Sequence, residues 1–214
     1  SDVCSSDLLT WCTPRRISLQ AIHLSGKQNI IADALSRGRV IPTEWSLRRS
    51  VAKQIFNIWD SPHLDLFASH LNNQLPVFCS RHAHPLTWAT DALSISWSGF
   101  LGYAFPPISL LSRVLSKIAQ EQCKIILIAP CWPKQPWFPQ LLDLLIQLPI
   151  ALPKRPDLLT QPTSKVLHPD PDSLHLCAWM LSSLHCERLS FLKALPHSQL
   201  SHDVCQPEER MTVV

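Results

Sequence analysis

Apolar and polar positions switch between two periods along the middle of this chain, and each switch marks the passage from a strand to a helix or back. In Tyr103–Phe105 a short apolar strand runs into Pro106 and Pro107. The prolines end it, because proline has no amide hydrogen for a ladder and restricts the residue before it. Beyond the turn, Ile108, Leu111, Val114, Leu115 and Ile118 recur at three- and four-residue spacing, with Ser112, Arg113, Ser116 and Lys117 opposite, which predicts one amphipathic helix. Lys124–Ala129 (KIILIA) is an unbroken apolar run of strand length, the pattern of a strand covered on both faces in a parallel sheet. Strand, crossover helix and buried strand make a right-handed βαβ unit, so the fold class predicted is α/β.

The flanks read in the same way. Ile17–Leu24 alternates as a strand, Ser25 and Gly26 turn the chain, and Asn29–Arg37 predicts a short helix. Leu47, Val51, Ala52, Ile55, Phe56 and Trp59 predict a second helix with Ser46 as its N-cap and Arg48, Arg49 and Lys53 on a solvated face. His63–Ala68 predicts a buried strand with Asp65 among apolar neighbours. A carboxylate there either accepts hydrogen bonds from loop amides or faces a ligand crevice at a strand end, and both readings stay open. Val77–Ser80 is a further strand, and Trp88 and Trp97 read as core residues. Downstream, Trp137, Leu141, Leu142, Leu144 and Leu145 predict a helix that tolerates Pro139 only in its first turn. A proline-rich connection carries an edge strand around Ile150–Leu152, and Leu174–Leu181 predicts a last strand that closes the sheet antiparallel. Past Ser182 the period fades, and 183–214 is expected to be a linker or disordered tail.

Composition narrows the class. Charged residues make up 16% and apolar ones 46%, and 19 prolines stand against 4 glycines, which points to a proline-stiffened globular chain and against a disordered one. A net charge of +3 with no basic block points neither toward nucleic acid nor away from it. The 8 cysteines form no CxxC pair. Free thiols are therefore predicted, in a reducing compartment, which makes the protein intracellular, cytoplasmic or nuclear. No apolar run reaches the length of a membrane span, so no membrane partner is expected. His63, His70, His82 and His84 lack the spacing of a structural zinc site, and no metal is predicted on them.

The string HLSGKQNIIADALSR resembles the last strand and helix of retroelement RNase H domains. The resemblance implies that Asp33 is one of the carboxylates that hold two divalent metals, Mg2+ in a complete domain, for hydrolysis of RNA in an RNA–DNA hybrid. Such catalysis needs several carboxylates converging on ions roughly 4 Å apart. The family's other carboxylates lie upstream, where only Asp2 and Asp7 stand here, in a leader (Ser1–Leu8, SDVCSSDL) that resembles the translated end of a sequencing-library adapter. Residues 1–8 are accordingly expected to be an artefact and 9–38 the end of an RNase H domain, with no hybrid cleavage by this chain alone.

From Thr43 to about Ser182, the stretches TEWSL, DLFAS with NNQLP, DALSISW, YAFPPISLLSRVLSKI, IILIAPCWPKQPWFPQLL and LHLCAW are similar, in order, to the segment that follows RNase H in DIRS-type tyrosine-recombinase retrotransposon polyproteins. That segment in turn resembles phage-type adenine methyltransferases of the Dam group, which are Rossmann-like and use S-adenosylmethionine. The resemblance implies a linker at 39–46 and, over 47–182, a Rossmann-like methyltransferase-type sheet with flanking helices. In such enzymes an Asn or Asp, two prolines and an aromatic residue follow a strand, to grip the target amino group and stack on the flipped base. The corresponding residues here are Phe105, Pro106, Pro107 and Ile108. Phenylalanine accepts no hydrogen bond and isoleucine has no π-face. Asp65 corresponds to the acidic strand-end residue of those enzymes and marks a vestigial cofactor crevice, while the four glycines build no Gly-rich cofactor loop.

Three readings follow. The first is a catalytically silent methyltransferase-like domain with a structural or docking role, needing no cofactor. It would sit beside the reverse transcriptase/RNase H and recombinase domains of a polyprotein that acts on nucleic acid. The second is an S-adenosylmethionine-binding adenine methyltransferase, and the third a decayed fragment without a stable fold. On the first and third the chain alone is no enzyme.

Overall fold

The computed structural model describes residues 10–18, 45–162 and 165–195 of a chain that divides into two compact units, Ser1–Ile41 and Pro42–Val214. In the first unit Thr13–Arg15 form a 3-10 turn with Pro14 at its start, and the Arg15 guanidinium lies 4.2 Å from the centre of the Trp11 ring. The strand expected over Ile17–Leu24 runs out of the described residues after Ser18. The helix expected over Asn29–Arg37, with Asp33, lies outside them.

In the second unit the strands are β1 (Ser46–Leu47), β2 (Leu64–Ala68), β3 (Phe78–Ser80), β4 (Ala89–Thr90), β5 (Leu101–Ala104), β6 (Lys124–Pro130), β7 (Ile150–Ala151), β8 (Leu159–Thr160) and β9 (Leu176–Ser182). The α-helices are α1 (Arg49–Trp59), α2 (Leu111–Gln120), α3 (Phe138–Asp143) and α4 (His185–Ala194). Seven strands form one sheet in the order β4-β3-β2-β5-β6-β9-β7. From β4 to β6 every pair is parallel, whereas β9 runs antiparallel to both of its neighbours. β1 and β8 pair separately as a short antiparallel ribbon. The fold is thus α/β, a mostly parallel sheet flanked by helices and compatible with a Rossmann-like arrangement.

Burial on both faces explains the unbroken apolar runs. Along β6, Ile125, Leu127 and Ala129 enter one core with the α2 residues Leu111, Val114, Leu115 and Ile118. Ile126 and Ile128 enter the other, with Val51, Ala52, Ile55 and Phe56 of α1. β9 divides likewise, Cys177, Trp179 and Leu181 against Leu176, Ala178 and Met180. At Gly102 the layers come so close that an added Cβ would lie 2.8 Å from Ile125 Cδ1 and 3.0 Å from Leu66 Cδ1, so only glycine fits without displacing them.

Several elements differ from the sequence reading. Ser46 is not a helix cap, because its backbone pairs with Thr160 in the β1–β8 ribbon, and α1 begins at Arg49 without a side-chain cap. β5 ends at Ala104, one residue before Phe105, and a 3-10 turn over Ile108–Leu110 precedes α2. Trp97 is fully buried, with its Nε1 donating to the Ala92 carbonyl at 2.8 Å, but Trp88 is 59% exposed. His185–Ala194 form a helix where a linker or tail was expected. That helix buries no residue fully and has no apolar stripe, so periodicity cannot reveal it; Glu187 pairs with Lys124 at 2.5 Å. Cys12, Cys79, Cys123, Cys131, Cys177 and Cys186 are free thiols.

Candidate functional site

In an open α/β sheet, ligands bind outside the carboxyl ends of the strands, at the point where successive connections leave in opposite directions. Here that point lies between β2 and β5, with β3 and β4 beyond one and β6 beyond the other. The structure therefore brings to neighbouring strand ends the Ser69–Gln74 loop after β2 and the sequence-marked Phe105–Ile108 after β5, while Asp65 sits near the start of β2.

The first segment is closed by its own hydrogen bonds. Buried Asn72 accepts through Oδ1 from the Ser69 amide at 2.6 Å and from Ser69 Oγ at 3.0 Å. The Asn73 amide donates to the Ser69 carbonyl at 3.1 Å and its Nδ2 to the Leu75 carbonyl at 2.8 Å. Gln74 Nε2 reaches the Leu47 carbonyl at 2.7 Å, and Arg49 donates to the Asn73 carbonyl at 3.1 Å. These side chains fasten the loop to β1 and α1. Those hydrogen bonds are made within the loop and to its neighbours, and no glycine stands in Ser69–Gln74.

Asp65 lies inside β2, three residues before its end, and is 1% exposed. Its Oδ2 accepts the Gln74 amide at 2.8 Å, and its Oδ1 is buried without a hydrogen-bond partner. Of the two roles left open by the sequence, the structure shows the bond to a loop amide. Burial pushes the carboxyl up to about 7, against the lowering effect of the Gln74 and Phe67 amides. Burial, followed by the charges of Asp65 and Asp91, pushes the Cys79 thiol up to about 11.

Tyr103 belongs to the short apolar run that forms β5. It stands opposite Asp65 in the β2–β5 register, 1% exposed, and its hydroxyl is also buried without a partner. Burial first, and Asp65 second, raise its phenol well above the ordinary range. The ring packs edge-on to Phe56, with centroids 5.3 Å apart. Because an unpartnered buried hydroxyl contributes no net hydrogen bond, Tyr103→Phe is expected to keep or raise stability, by up to about 1 kcal/mol. Urea unfolding measures this, and a clear loss of stability would show that the hydroxyl is bonded in solution.

In the second segment, Phe105 is half-buried against the α1-side core, Pro106 is buried and Pro107 exposed, and Ile108 is 43% exposed. The Pro107 carbonyl accepts the Leu110 amide at 2.9 Å, which starts the 3-10 turn. No side chain from Phe105 to Ile108 can accept a hydrogen bond or hold a proton. Further along the same edge, the His70 and His84 rings stack at 4.2 Å, and His84 Nδ1 accepts the Leu86 amide at 3.2 Å. Asp91, after β4, takes a left-handed φ of 56° and caps the Ala92–Ser94 turn through the Leu93 amide at 3.0 Å. Among the described residues no three His, Cys, Asp or Glu side chains converge as a metal set, and no helix is long and apolar enough to cross a membrane. The chain matches no protein-family model and no curated protein.

Proposed function

We propose that residues 47–182 are a methyltransferase-like domain without transfer chemistry, serving as a structural or docking module in a DIRS-type retroelement polyprotein. The observation that carries this reading is the chemistry of Phe105–Ile108. The segment follows β5 beside the point where the sheet's connections diverge, as the amino-group grip follows its strand in the methyltransferases, and it offers no acceptor and no aromatic stacking surface at the positions that need them. The sheet order is compatible with the Rossmann-like fold of that resemblance: five parallel strands are followed by one antiparallel strand let in before the last. The closed Ser69–Gln74 loop supports silence, since its polar groups are already committed. On the same reading, residues 9–38 are the end of an RNase H domain. Asp33 lies outside the described residues, so no metal site is built on it.

A calorimetric titration of the 214-residue chain with S-adenosylmethionine, beside a thermal melt of the same sample, tests this proposal. A cooperative melt with no binding heat is the expected result. Saturable micromolar binding would overturn the silent reading in favour of a cofactor-using enzyme, and a melt without cooperativity would mean a decayed fragment.

A further inference from the structure

A cavity of about 330 Å³ opens at the carboxyl end of β6, where β9 begins and β7 joins it. It lies on the far side of β6 from the β2–β5 crevice, and nothing in the proposed function uses it. Leu152, Leu158 and Leu176 are buried in its wall, and its polar side chains are Lys154, Asp172 and His175, all exposed. A concave, mainly apolar site of this size with a few convergent polar groups is the usual form of a small-molecule pocket.

The polar groups define the ligand. Lys154 and Asp172 line the same cavity, yet among the described residues neither belongs to an ion pair, with each other or with any other side chain. A cation and an anion thus share the rim of one apolar hollow with no ion pair to another described residue. His175 completes the rim from a left-handed backbone, φ 45°, a conformation costly for a residue with a side chain. Its amide bonds the Asp172 carbonyl at 3.1 Å and its carbonyl accepts the Cys131 amide at 2.9 Å, which fixes the turn against the end of β6.

We infer that this cavity binds a small zwitterion with an apolar body, of the α-amino-acid class, its carboxylate toward Lys154, its ammonium toward Asp172 and its side chain against Leu152, Leu158 and Leu176. The proposal does not rest on the methyltransferase-like reading.

The test is an NMR titration of the full chain with three probes: L-phenylalanine, 3-phenylpropionate, which lacks the ammonium, and phenethylamine, which lacks the carboxylate. L-phenylalanine is expected to shift the amides of Ala151, Leu152 and His175–Cys177 saturably, and each truncated probe to bind about tenfold more weakly. Lys154→Ala should bring L-phenylalanine down to the level of phenethylamine, and Asp172→Ala to that of 3-phenylpropionate. Both substitutions are at exposed positions, so the fold is retained, as the unshifted amides of β6 would report. Equal binding of the three probes, or no saturable shift at millimolar L-phenylalanine, would overturn the inference.

Discussion

Asp65→Asn raises the unfolding midpoint at pH 8 and changes it little at pH 4. The carboxyl titrates at about 7 in the folded chain against 3.8 for the ordinary group, because burial penalises its charged form. The folded value is the raised one, so between pH 4 and pH 7 the folded chain keeps a proton that the unfolded chain has released. Stability contributed by this group is therefore whole below about pH 4, falls as the pH rises toward 7, and is level above that. The linkage is worth on the order of 4 kcal/mol at pH 8, roughly 10 °C in midpoint for a domain of this size. An asparagine carries no charge to desolvate and still offers an oxygen to the Gln74 amide. Tyr103 and Cys79, which feel the Asp65 charge, stay protonated throughout this range, so they do not confuse the result. Paired thermal melts of wild type and Asp65→Asn from pH 4 to pH 8 measure the difference. A gap that does not widen with pH would mean that Asp65 is charged and solvated in the folded state.

The second large effect belongs to Trp179. Its side chain is fully buried in β9, donates Nε1–H to the Ala129 carbonyl at 3.0 Å, and packs edge-on to Phe138 at 5.9 Å. Trp179→Ala would open a cavity where β6, β9 and α3 meet and remove the indole's hydrogen bond to that carbonyl. Removing a buried tryptophan costs about 3–5 kcal/mol. That is a large share of the roughly 5–15 kcal/mol by which a domain is stable. Trp88→Ala, at an exposed site, is expected to stay within about 0.5 kcal/mol. Urea unfolding of the two variants side by side decides the matter, and similar losses would contradict the burial seen here.

What the sequence disclosed follows from which interactions are local. β6 and β9 were legible because strands covered on both faces must be apolar at every position, and α2 because its stripe of Leu111, Val114, Leu115 and Ile118 repeats with the helical period. The β1–β8 ribbon was not, since Ser46 and Leu47 look like the approach to a helix until Leu159 and Thr160, more than a hundred residues on, arrive to pair with them. α4 has no stripe to find. At the candidate site, the lost chemistry of Phe105 and Ile108 could be read from residue type alone, because no geometry gives Phe105 a hydrogen-bond acceptor or Ile108 a π-face to stack on a base. The role of Asp65 could not, because it depends on the Gln74 amide folding back over β2. The orphan hydroxyl of Tyr103 became visible only once the register set it opposite that carboxylate.

The placing of β9 also sets a timetable for the nascent chain. β7 touches the sheet only through β9, and β6 pairs along its whole length with a strand made some fifty residues later. Until residue 182 has left the ribosome, β6, buried along nearly its whole length, has one bare edge, the condition under which strands find partners in other molecules. Closure of the sheet is accordingly a late event in synthesis, and the span between Pro130 and Leu176 is the interval during which a folding helper has something to protect.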